Sequence, residues 1–132
     1  MNEEKVQEKI VQFQTLQGNL QKLEQREKLL LQGLDDLERT KLALTDLKDT
    51  TGEAYVPIGA NNFVLGEIKD SENVLISIGS GIAIKKPRED AIEITKNRIK
   101  EFKNEATKTV QELEKMSNKL VSLREEIETV RK

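Results

Sequence analysis

The run "IGSGIAIKK", Ile78 to Lys86, is the first place where this sequence offers chemistry. Closely spaced glycines followed by lysines are ingredients of a phosphate loop. Such a loop reads G-x-x-x-x-G-K-[ST] and runs straight into a helix whose amides cradle the phosphate. Here Gly79 and Gly81 lead into apolar, strand-like residues, so the segment reads as a hairpin turn. The cluster "KKPR" (Lys85, Lys86, Arg88) offers charge to an acidic partner or nucleic acid. Glu89 and Asp90 follow at once, and a solvated strand-to-helix junction is the simpler reading. Asp35–Asp36 and Glu125–Glu126 offer carboxylates to a metal. Adjacent residues on a helix point about 100° apart, so these pairs form a solvated face and not a converging ligand set. The chain has no histidine and no cysteine, which removes the commonest general base and metal ligand, the thiolate nucleophile and the disulfide. No nucleophile, base and orienting group can be assembled. The expectation is a protein that is not an enzyme, with no catalytic residue, no metal and no cofactor.

Charge and length narrow the class further. The 132 residues allow at most one ordinary domain, and an apolar fraction of 36% with 3% aromatics argues against a thick globular core. Lys and Arg number 22 against 24 Asp and Glu, without the basic excess that marks a nucleic-acid binder. No apolar run approaches the roughly 20 residues needed to span a bilayer. The opening "MNEEKVQEK" is acidic where a secretory signal is basic and then apolar. These features predict a soluble, intracellular protein with neither nucleic acid nor membrane as partner.

The elements that position these residues are two long helices around a sheet-forming centre. Steps of 3 and 4 from Val6 meet Lys9, Phe13, Leu16, Leu20, Leu23, Glu27, Leu30, Leu34, Leu37, Lys41 and Leu44, nine of the twelve being apolar. The same steps from Ile92 meet Thr95, Ile99, Phe102, Ala106, Thr109, Leu113, Met116, Leu120, Leu123, Ile127 and Val130, ten of the twelve being apolar. Both are coiled-coil seams. Folded antiparallel, they place Leu44 against Ile92 and Val6 against Val130, with Lys41 beside Thr95 and Glu27 beside Thr109. A slip of one heptad would set Lys41 against Phe102 and Glu27 against Met116. Burying a charge on an apolar side chain is costly, so the polar positions select the first register.

The ends of the seams carry stop and start signals. "DLKDTTGEA" closes the first helix, with Gly52 as its cap. Pro87 suits the first turn of the second, and Glu89 and Asp90 complement its dipole. The predicted division is a helix over 1–50, two β-hairpins over 54–86 and a helix over 87–132. The strands fall at 54–58, 62–68, 73–78 and 82–86, rich in Val, Ile and Phe and separated by the turn chemistry of "GANN", "KDSE" and "GSG". Pro57 cannot donate a ladder hydrogen bond, so its strand is an edge or carries a bulge. Four short strands cannot enclose a core and leave edges open to other chains. The centre therefore reads as an assembly device, with Val56, Ile58, Phe63, Leu65, Ile68, Val74, Ile76, Ile78, Ile82 and Ile84 as its contacts.

"YVPIGANNFVLGEI", with its V-P-x-G-A core, and "VLISIGSGIAIKKPREDAIE" resemble the α-type subunits of the prefoldin family. The motif resemblance covers about residues 54–93, and the helix–two hairpins–helix plan covers the whole chain. The resemblance implies a mainly α fold: a long antiparallel two-helix coiled coil whose central hairpins join an oligomeric β-barrel. It implies an ATP-independent hexameric chaperone of two α-type and four β-type subunits. Such a complex holds unfolded polypeptide clients at its coiled-coil tips and passes them to a group II chaperonin. Periodicity alone leaves open a structural coiled-coil scaffold or a filament-forming assembly protein.

The tips are where apolar residues exceed what a two-stranded seam can bury. Ile10, Val11 and Val121 lie off the seam there, and Val6, Phe13, Leu120, Leu123, Ile127 and Val130 form its last layers. These nine are the candidate client-binding residues. Lys9 opposite Ile127 weakens the final packing and lets the ends open. Leu42, Leu47 and Ile94, off the seam near the centre, are expected to pack under the sheet, whereas Leu29 and Leu31 have no assigned role.

Overall fold

A computed structural model describes residues 3–131, with the Arg131 side chain left out of the description. The order is α1 (Glu3–Asp46), β1 (Gly52–Gly59), β2 (Asn62–Ile68), β3 (Asn73–Gly79), β4 (Ile82–Pro87) and α2 (Arg88–Arg131). The chain divides into two units: Met1–Leu34 with Glu101–Lys132, and Asp35–Lys100.

The first unit is a helix pair. In α1 the side chains withdrawn from solvent include every residue of the predicted seam from Val6 to Leu34, and in α2 every one from Phe102 to Val130. Its cross-helix contacts follow the first register. Phe102 packs at Gly33, where an added Cβ would lie 2.5 Å from Cε2 of the ring. Lys9 Nζ pairs with Glu126 at 3.1 Å, and Arg26 Nη2 with Glu105 at 2.9 Å. Thr109 is buried and its hydroxyl donates to the Glu105 carbonyl of its own helix at 2.8 Å. Its part in the polar layer is therefore to be small and self-satisfied, since its hydroxyl is spent on its own helix.

The second unit holds the sheet-forming centre. Leu44, Ala91 and Ile92 form a buried cluster against which Val74 and Ile76 pack, so Leu44 meets Ile92 as the seam predicts. Each hairpin is a separate antiparallel two-stranded sheet. Both follow one plan. Gly59 pairs with Asn62 around Ala60 and Asn61, and Gly79 pairs with Ile82 around Ser80 and Gly81. The two central residues of each turn have positive φ (48° and 63°; 53° and 75°), the geometry of a type I′ turn, whose twist suits a hairpin. A register shift precedes each turn, between Pro57 and Gly59 and between Ser77 and Gly79. The strand containing Pro57 thus carries the expected bulge, and Ile58 and Ile78 occupy the extra positions.

Several local expectations are corrected. Helix α1 stops at Asp46, before the predicted boundary: Asp49 adopts a left-handed φ of 58°, and Thr50 Oγ1 donates to the Asp46 carbonyl at 3.1 Å. Gly52 is accordingly the first residue of β1 and not the helix cap, and Pro87 closes β4 instead of entering α2. Leu42 does not pack under the sheet; it is 63% exposed because it sits on the outer side of α1, whereas Leu47 and Ile94 are half-buried. Arg88 does not belong to a solvated junction. Its side chain is only 3% exposed.

Candidate functional site

Arg88 organises the site from within. Its Nη1 donates to the Leu44 carbonyl at 3.1 Å and its Nη2 pairs with Glu89 at 2.7 Å. Its backbone N–H donates to the Glu72 carbonyl at 2.7 Å, tying the link between the hairpins to the start of α2. No basic residue lies in the last turn of α1. Arg88, from another part of the chain, supplies the cation and the donor that a helix C-terminus favours. Beside it Asp70 shapes the link: Oδ1 accepts from Glu72 N–H at 2.9 Å and Oδ2 from Asn73 Nδ2 at 3.0 Å. The Asn73 side-chain hydrogen bond, then the Glu72 backbone bond, hold the Asp70 carboxyl below its ordinary value.

The two hairpins present different surfaces. In β1–β2 the pairs Tyr55–Leu65 and Pro57–Phe63 face one side and Val56–Val64 the other. Both sides are apolar, and Tyr55, Val56, Ile58, Phe63, Val64 and Leu65 are all 45–72% exposed. In β3–β4 Val74, Ile76, Ile84 and Lys86 share the half-buried side, and Arg98 Nη2 donates to the Ser77 carbonyl at 3.0 Å. Leu75, Ile78 and Ile82 remain exposed. Of the ten expected assembly residues, Val56, Ile58, Phe63, Leu65, Ile78 and Ile82 lie open. Ile68 and Ile84 are half-buried, and Val74 and Ile76 are engaged within the chain. Tyr55, Val64 and Leu75, outside the expected set, are exposed as well. The available signal was that alternate positions on both sides of these strands are apolar, a pattern of sheets covered on two faces.

At the free end of the helix pair, Ile10, Phe13 and Ile127 line one groove of about 450 Å³, with Gln17, Arg124 and Glu128 at its margins. Val11 and Val121 are exposed, at 52% and 56%, and Val11 lines a second depression with Glu4, Gln7, Glu8 and Gln12. Val6, Leu120, Leu123 and Val130 are half-buried in the seam. Lys9 does not stay opposite an apolar partner; its amino group turns aside to Glu126 while its stem remains in the coil. Among the described residues no acidic cluster could hold a metal, and no helix is long and apolar enough to cross a membrane.

Two long helices joined through a pair of open hairpins define a subunit of an assembly. The chain belongs to the prefoldin family: the family model described as "Prefoldin subunit" matches residues 3–132. It is 40% identical over 100 residues to "Prefoldin subunit alpha 1" of Thermococcus kodakarensis, covering 74% of this chain and 68% of the relative. It is 31% identical over 134 residues to "Prefoldin subunit alpha" of Pyrococcus horikoshii, covering 96% and 90%. In fold it is similar to a filamentous prefoldin from Methanocaldococcus jannaschii solved by cryo-EM, with a TM-score of 0.51 and 22% identity over 95% of this chain and 99% of that one.

Proposed function

We propose that this chain is the α-type subunit of a hexameric, ATP-independent holdase. Two α-type and four β-type subunits join through their hairpins into a β-barrel body. The free coiled-coil ends capture unfolded polypeptides in the cytosol and deliver them to a group II chaperonin. The chain's own role is non-catalytic. The observation that carries this reading is β1–β2, an apolar hairpin exposed on both faces. A lone two-stranded hairpin is marginal in water, so β1–β2 requires strands from other subunits. The groove of Ile10, Phe13 and Ile127 supports capture at the ends. Each apolar side chain buried there contributes at most about 1.5–3 kcal/mol, and several ends acting on one client add avidity.

A second reading, a filament built of this chain alone, is favoured by the likeness to the filamentous archaeal protein. Unpaired strand edges permit a closed ring or an open array, depending on the rotation between copies.

Native mass measurement with and without a β-type subunit separates these readings. A discrete hexamer formed only with the partner supports the first; an open series of masses from the chain alone supports the second. Removing residues 1–11 and 121–132 is then expected to abolish ATP-independent suppression of client aggregation while leaving the oligomer intact. Retained suppression would refute capture at the ends.

A further inference from the structure

We propose that the level of Gly18, Ser117 and Asn118 is a hinge in the helix pair, beyond which the two outer segments part together. The first observation concerns the two glycines of α1. Gly33 has a steric reason to be glycine, since a Cβ there would strike Phe102. Gly18 has none: nothing lies within 4 Å of the place its Cβ would occupy, and its φ is not positive. A glycine inside an exposed helix lowers helix stability without a packing return.

The second observation is what lies across from it. The register that pairs Val6 with Val130 and Leu44 with Ile92 brings Asn118 to the level of Gly18. Ser117 and Asn118 are exposed and are poorer helix formers than alanine, lysine or glutamate. Poor helix formers therefore fall at one level on both helices.

The third observation is packing. At this level the seam contains Met116, a flexible, weakly specifying core residue. A groove of about 290 Å³ lined by Leu16, Glu112, Lys115, Met116 and Lys119 opens onto it. Helices bend at glycine and serine positions, and moving segments are drawn from the least stable parts of a fold. Further out, Lys9 substitutes an ion pair with Glu126 for an apolar layer. Parting at this level would uncover Phe13, Leu16, Leu120 and Leu123 as one surface. That consequence rests on the reading that the ends hold clients; the hinge itself does not.

The chain has no native cysteine, so paired spin labels can be placed freely. An outer pair at Gln7→Cys and Thr129→Cys and an inner pair at Gln25→Cys and Gln111→Cys, all exposed positions, are measured in the assembled full-length chain diluted with unlabelled copies. The outer pair is expected to show a second, longer distance and the inner pair a single narrow one. Gly18→Ala is expected to reduce the longer population about fivefold, and Gly18→Ala with Ser117→Ala and Asn118→Ala roughly twentyfold in all. A single narrow distance at the outer pair would overturn the hinge. So would a longer population that the triple substitution leaves unchanged. No client is present in this measurement, so failure of the hinge is distinct from failure of capture at the ends.

Discussion

The two hairpins share one turn plan and differ in what their faces touch. Gly59-Ala60-Asn61-Asn62 and Gly79-Ser80-Gly81-Ile82 make equivalent turns, each preceded by a bulge. Yet β3–β4 lays Val74 and Ile76 on the Leu44–Ala91–Ile92 cluster, while β1–β2 leaves apolar residues of both faces exposed toward its turn. Turn chemistry fixes register and twist inside a hairpin. It does not decide whether the partner of a face lies in the same chain. β3–β4 therefore takes part in the chain's own core, whereas Tyr55, Val56, Phe63, Val64 and Leu65 of β1–β2 stay exposed.

Substitutions can break that comparison. The largest effect is expected from Phe63→Asp, which puts a charge on the exposed face of β1–β2. It should abolish the oligomer in native mass measurement while leaving the chain's helicity unchanged by circular dichroism. An intact oligomer would show that this face is not an interface. Arg88→Met comes next: it removes the donor to the Leu44 carbonyl from a buried site and should cost about 2–3 kcal/mol in denaturant unfolding. A change within about 0.5 kcal/mol, as for an ordinary surface position, would contradict the role of the Arg88 side chain in tying the end of α1 to the start of α2.

The smallest effect is expected at Asp70. Its folded pKa is lowered from 3.8 by hydrogen bonds from Asn73 and Glu72. The associated stability is fully present above the unfolded pKa and is lost as pH falls through the lower, folded value. Asp70→Ala should remove a slight loss of stability on acidification in that window. Because Asp70 is exposed, the difference is small, and an identical acid limb in wild type and variant would exclude the contribution.

Much of this architecture is legible in the sequence, because helical burial repeats with a period the chain cannot disguise. Every residue reached by the alternating steps from Val6 and from Ile92 is withdrawn from solvent, and the polar layers at Lys41 and Glu27 pick the register that places Leu44 on Ile92. The hairpin turns are legible too, since Asn61, Ser80 and the glycines beside them suit positive φ. The exposure of Tyr55, Val64 and Leu75 was harder to read, because an apolar residue looks the same whether its cover is its own helix or another subunit. Leu42 misled for the converse reason: proximity to the centre is not contact with it. Arg88 was hidden by its charged neighbours Lys85 and Lys86, as charge in a sequence carries no label of burial. At the free ends, the period places Ile10 and Val11 off the seam, but only the paired helices bring Ile10 and Ile127 to one groove.

Arg88 also constrains the order in which the centre can form. Its partner at Leu44 is 44 residues away in sequence, and its backbone donor waits on the Glu72 carbonyl. Both bonds close loops, whose entropy must be lost before either contact is gained. The hairpins can form locally from their turns, whereas this junction requires α1, the inter-hairpin link and α2 to arrive together. A chain that has completed its turns but not this junction would still lack the bond between the close of its first helix and the opening of its second.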